Sequence, residues 1–102
     1  MTELPRLSRT ERDVLELLRT GTEMYGLQMV KASKILQRGS VYVYLNRMGE
    51  KGYVTSRQEK EPTDPGMPRR LYQITGLGRR VLMAVESSEN ILNGWLGSEG
   101  TA

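Results

Sequence analysis

The apolar positions of this chain change period twice, from helical to alternating and back. Val14, Leu15 and Leu18 recur at helical spacing. Ser8-Arg9-Thr10-Glu11, just before them, has the form of a capping box: the serine hydroxyl accepts a backbone N–H and the glutamate reaches back. These residues predict a first helix from Ser8 to about Arg19, stopped by Thr20-Gly21-Thr22. A second helix is predicted from Met24 or Tyr25 to about Lys34, with Leu27 and Val30 set apart from Lys31 and Lys34. Gly26, near its start, allows close packing. Ile35 and Leu36 then lead through a turn of a few residues into the stretch that organises the chain.

That stretch runs from Gln37 to Val54 and reads as one short helix ending at a glycine and passing into a strand. Val41, Tyr44, Leu45 and Met48 share one side of a 3.6-residue helix, the spacing that buries a face. Gly39, Tyr42, Val43, Asn46, Arg47 and Glu50 share the other. This outer face, with an aromatic, a β-branched residue, an amide and a guanidinium, is a poor match to an ordinary solvated surface. It suits insertion into a DNA major groove. Two short helices joined tightly, the second exposing such groups, form a helix-turn-helix pattern, which small helical bundles share.

After Gly52 the period falls to 2. Tyr53–Glu59 and Arg69–Ile74 alternate as strands, and the prolines of Glu61–Pro68 exclude regular structure between them. This is a hairpin with a long tip, a wing. Its Arg57, Lys60, Arg69 and Arg70 are placed to reach a phosphate backbone or a minor groove. Thr75 is the expected cap of a last helix over residues 76–96, with Leu77, Val81, Ala84, Val85, Ser88, Ile91, Leu92 and Trp95 along one broad face. Such a helix is roughly 30 Å long, more than the body before it can cover. Its distal stripe, with Leu82, Val85, Ser88, Ile91, Leu92, Trp95 and Leu96, is expected to meet the same helix of a second chain across a two-fold axis. The expected organisation is a flexible arm over residues 1–7, a DNA-binding domain over 8–75, the dimerisation helix, and a disordered tail over 97–102.

Composition narrows the chemistry. The chain has 102 residues, one domain's worth, with neither cysteine nor histidine. Disulfides, thiol nucleophiles, Cys/His zinc sites and imidazole acid–base chemistry are therefore excluded. With no clustered carboxylates and no Gly-rich phosphate loop, the chain does not read as an enzyme, and no cofactor is expected. No apolar run approaches a membrane span and no signal peptide is evident, so the expected location is the cytoplasm. The net charge of +3 is modest but unevenly placed. Lys31, Lys34, Arg38, Arg47, Lys51 and Arg57 face Glu50 alone in the middle, whereas Glu86, Glu89 and Glu99 stand without a base at the end. A basic middle and an acidic end suggest that one part of the molecule meets a polyanion.

The order of helix, helix, helix, two-stranded wing and long last helix makes a mainly α, α+β winged helix-turn-helix. In its residues the chain resembles the PadR-like family of bacterial transcriptional regulators. The resemblance lies in Tyr25-Gly26-Leu27, in Gly39-Ser40-Val41-Tyr42, in Leu45 to Val54, and in Pro68 to Thr75 continuing through Gly78. It spans about residues 10–85. It implies a homodimeric repressor on a palindromic or near-palindromic operator in double-stranded DNA. The third helix would enter the major groove, the wing would touch backbone or minor groove, and the last helix would make the dimer. Tyr42 matches the family's tyrosine in the recognition helix, and Arg69 and Arg70 match its basic wing residues. The chain departs from the pattern at Val43, where proline is frequent, at Gln37, where a serine-like cap is common, and at Leu71, where an aromatic is frequent.

The DNA-facing residues expected from these readings are Gln37, Arg38, Gly39, Ser40, Tyr42, Val43, Asn46, Arg47, Arg57, Lys60, Arg69 and Arg70. Asn46 is the expected base reader, Arg47 divides between base and phosphate, and Gln37, Arg38 and Ser40 offer a helix N-terminus to phosphate. Trp95 has two readings, as dimer core or, with its symmetry mate, as lining for a small aromatic effector of the kind some PadR-like proteins sense. The competing class is a protein-interaction winged helix that touches no DNA; the basic middle of the chain argues against it.

Overall fold

The computed structural model describes residues 6–59 and 69–100, with side chains as far as Glu89. The order is α1 (Arg9–Leu17), β1 (Met24–Tyr25), α2 (Gly26–Ala32), α3 (Val41–Glu50), β2 (Val54–Gln58), β3 (Arg70–Ile74) and α4 (Gly76–Gly100). The strands form one antiparallel sheet in the order β1-β3-β2.

The capping box is present: Glu11 N–H donates to Ser8 Oγ at 3.1 Å and Ser8 N–H donates to Glu11 Oε1 at 3.0 Å. Val14, Leu15 and Leu18 are fully buried, as their spacing predicts. They meet Met29 of α2, Val41, Leu45 and Met48 of α3, Val54 and Ile74 of the sheet and Leu82 of α4 in one core. Leu7, assigned by sequence to a flexible arm, packs on the edge of this core. Met1–Pro5 lie outside the described residues.

Several boundaries differ from the sequence reading. Met24 and Tyr25 do not open α2; they pair with Tyr72 and Leu71 as a third strand. Two residues are too few to show alternation, so nothing in the local pattern marks them. Met29, not Leu27, fills the core from α2, and Leu27 is exposed. The connection to α3 is eight residues long and is held by Ser33. Its Oγ accepts the N–H groups of Ile35 and Leu36, both at 3.0 Å, and donates to Asp13 on α1. Residues 37–40 form a turn in which the Gln37 carbonyl accepts from Ser40 and Val41, and α3 begins only at Val41.

α3 ends in a Schellman motif. Gly52, at φ +81°, takes the left-handed position, its N–H donates to the Gly49 carbonyl, and Tyr53 N–H donates to the Met48 carbonyl. The chain thus turns straight into β2. Val54 pairs with Ile74, Ser56 with Tyr72 and Gln58 with Arg70, and a bond from Glu59 N–H to the Arg69 carbonyl extends the ladder. The proline-rich tip, including Lys60, lies outside the described residues.

Thr75 caps α4, its Oγ1 accepting Gly78 N–H at 3.0 Å. The helix does not stop at Leu96 but continues to Gly100, because glycine and serine weaken a helix without breaking it as proline does. Only Thr101 and Ala102 of the expected tail lie outside the described residues. α4 leans on α1 through Leu82 and through ion pairs of Arg12 with Glu89 and Arg19 with Glu86. Leu82 was expected at the dimer face. It is 1% exposed and belongs to the protomer's own core, roughly 140° around the helix from exposed Leu77.

Candidate nucleic-acid interface

The site is built on α3, whose inner side is immobilised. Val41, Leu45 and Met48 are buried at i, i+4 and i+7, so the opposite side must face outward. Tyr42 is 49% and Val43 51% exposed, and Asn46, Arg47 and Glu50 are exposed beside them. Tyr44, placed by sequence on the inner side, is half-buried at its margin. Gln37, Arg38 and Gly39 lie exposed in the turn leading to the helix, and Ser40 is its first flanking residue, with no hydrogen bond from its side chain to the helix end.

Tyr42 does not project freely. Its ring lies against the first residue of α2, where a Cβ on Gly26 would stand 2.8 Å from the ring and 3.1 Å from the phenolic oxygen. The absent side chain is what admits the ring.

The wing sorts its arginines onto two faces. Cross-strand partners point the same way and neighbours along a strand point opposite ways. Ser56, Arg70 and Tyr72 therefore share the face that carries Val54 and Ile74 into the core, beside α3. Arg70 donates to Ser56 Oγ at 3.1 Å. Between this face and α3 runs an open cleft of about 490 Å³, lined by Asn46, Gly49, Glu50, Thr55, Ser56, Arg70 and Tyr72 among others. Arg57 and Arg69 stand on the other face. Arg57 Nε is held by Glu23 at 2.8 Å, and the Arg69 guanidinium lies 5.3 Å from the centre of the Tyr25 ring. Tyr25 in turn donates to Glu59 at 2.5 Å, and that bond pushes its phenol pKa up, so it stays a donor. The sequence reading grouped Arg57 with Arg70; the register separates them.

Arg12, Arg19, Lys51 and Arg57 are engaged in ion pairs, whereas among the described residues Arg38, Arg47 and Arg70 form none. Sequence reasoning missed Ser33 and Asp13, which hold the approach to α3 without facing outward. Gly26, which the sequence marks as a position of close packing, is where the Tyr42 ring lies. The side chains of Ile91, Leu92, Trp95 and Leu96, and with them the effector reading, lie outside the described residues. Val85 is half-buried and Ser88 exposed.

With this geometry in view, the sequence pattern of the PadR-like family of transcriptional regulators matches residues 14–84, more than half of the chain. The chain belongs to the PadR-like family. A PadR-like transcription factor from Bacteroides fragilis is 26% identical, with a TM-score of 0.75 over 86% of each chain. A PadR family transcription regulator from hypervirulent Clostridium difficile R20291 is 21% identical, with a TM-score of 0.71 over 93% of this chain and 100% of that one, and shares the fold. Bacillus subtilis PadR, solved in complex with operator DNA, is 22% identical with a TM-score of 0.62. That match covers 72% of this chain and 44% of the Bacillus one. No curated protein sequence matches. Among the described residues, no helix of this PadR-like chain is long and apolar enough to cross a membrane.

Proposed function

We infer that this PadR-like protein binds an inverted-repeat operator as a homodimer and represses transcription by occluding a promoter, acting in the cytoplasm. The observation that carries this reading is α3: an inner side locked in the core and an outer side presenting Tyr42, Val43, Asn46 and Arg47 to solvent. Asn46 offers the amide that pairs with adenine, and Arg47 the fork that suits guanine or phosphate. Arg38, before the helix, and Arg70, across the cleft, supply the salt-dependent contacts to the sugar–phosphate chains on either side. The Bacillus protein, with the same fold, was captured on its operator.

A dimer through α4 is supported by what the protomer leaves open. Leu77 is exposed, and Val81, Ala84 and Val85 are only half-buried, although all four are apolar. The stripe they begin continues by sequence to Ile91, Leu92, Trp95 and Leu96. A two-fold pairing of such helices would set two copies of α3 in successive major grooves, roughly 34 Å apart.

The test is selection from random duplexes at several salt concentrations. Enrichment of an inverted repeat with half-sites about one turn apart is the expected result. Salt-dependent binding without an enriched sequence would overturn the reading of a specific regulator, and absence of binding at low salt would overturn DNA binding altogether.

A further inference from the structure

Val43 has no structural reason to be apolar. It sits mid-helix on α3, half exposed, and the core takes nothing from it. A β-branched residue there is also a poorer helix former than the lysine, glutamate or glutamine an ordinary outer face would carry. Its neighbours along the stripe at i+3, i+4 and i+7 are Asn46, Arg47 and Glu50, all exposed and polar. Tyr42, the other large apolar side chain of this surface, is anchored on Gly26, so Val43 alone presents an unanchored apolar tip.

The surroundings say what that tip meets. Arg47 lies one turn from it on the same helix, Arg38 lies in the turn before α3 and Arg70 across the cleft beside α3, and none of the three forms an ion pair among the described residues, which fits a polyanion and disfavours an apolar protein partner. Within the major groove of a DNA duplex the apolar feature is the C5-methyl of thymine. We propose that Val43 is a specificity-determining residue that packs on a thymine methyl, within one or two base-pair steps of the adenine read by Asn46. The spacing fits: three residues of α-helix advance about 4.5 Å, against a base-pair rise of about 3.4 Å. The proposal rests on the DNA-binding reading above and adds a chemical group to it.

The test replaces thymine by uracil, which removes that methyl and leaves every hydrogen-bonding group in place. The duplex enriched from the random pool is made with each thymine changed in turn, and its affinity is measured with the parent protein and with Val43→Ala. One position per half-site should cost the parent about fourfold in affinity, the worth of one buried methyl group. Val43→Ala, which removes an exposed side chain and so keeps the fold, should bind the thymine and uracil duplexes alike. If the parent is indifferent to uracil at every position, or if Val43→Ala keeps the parent's sensitivity, the proposal is overturned while specific DNA binding stands. If no duplex is enriched at all, the DNA reading fails and this proposal fails with it.

Discussion

The backbone carbonyl of Tyr53 stands where a side chain on Gly78 would have to begin. A Cβ there would press into that oxygen and come within 3.1 Å of the Tyr53 carbonyl carbon and 3.0 Å of Ile74 Cγ1. The same carbonyl accepts Thr75 N–H at 3.1 Å, and the Thr75 hydroxyl donates to the carbonyls of Gly52 and Tyr53, so the start of α4 is tied to the exit from α3. Neither backbone can yield cheaply. Gly78→Ala should therefore destabilise the protein by about 1–3 kcal/mol, despite alanine's better helix propensity. A lowered urea midpoint with an unchanged slope would show it.

Gly26→Ala should separate folding from binding. The atoms it would meet belong to the far end of the Tyr42 ring, which can swing into solvent. Stability should change little. If Tyr42 holds a phosphate through its hydroxyl, affinity should fall roughly threefold to tenfold, the worth of one hydrogen bond. Paired thermal melts and titrations with duplex DNA check the two halves.

The two faces of the wing predict unequal arginines. Arg70→Ala should weaken binding to all sequences and reduce the slope of log affinity against log salt by about 0.9, as the loss of one phosphate contact does. Arg57→Ala should leave the slope nearly unchanged, because Glu23 already holds that guanidinium on the opposite face. Titrations across a salt series distinguish them.

Glu11 predicts an acid limb to stability. It is only 8% exposed, and burial by itself would raise its carboxyl pKa. Hydrogen bonds from Lys51, at 2.8 Å, and from Ser8 outweigh that, and the net shift is downward from 4.5. A carboxylate lowered by folding stabilises in full above its unfolded pKa, and the contribution is lost as pH falls through the lower, folded value. Glu11→Gln keeps the capping box, which glutamine also completes, and removes the charge. The variant should be less stable than the parent at neutral pH, with the gap closing below about pH 4. Urea midpoints measured down the acid range read the difference.

The residues that were legible in the sequence are those whose constraint is local or periodic. The capping box is four adjacent residues, the inner side of α3 is a helical repeat, and Thr75 precedes its helix directly. What escaped depends on partners far along the chain. β1 exists because β3 offers Leu71 and Tyr72 to Tyr25 and Met24. Ser33 matters because α1 brings Asp13 to it, twenty residues earlier. The inward side of α4 was misjudged for the same reason. Hydrophobic spacing alone favours the stripe through Leu77, but α1 meets the helix at Leu82 and recruits Glu86 and Glu89, acids that no apolar pattern would place at a contact. The split of Arg57 from Arg70 needs the hairpin register, which the proline-rich tip hides from a reading of either strand alone.

Among the described side chains, α4 is fastened to the body through Leu82 and through two ion pairs with α1, Arg19 with Glu86 and, one turn further on, Arg12 with Glu89. Glu16 crowds the same spot, its carboxyl raised by burial and by Glu86, while Glu86 is held down by Glu16 and by Arg19. Beyond Glu89 the helix extends for eleven residues, roughly 16.5 Å. A tilt of about 12° at that point would displace the far end by roughly 3.4 Å, the rise of one base pair.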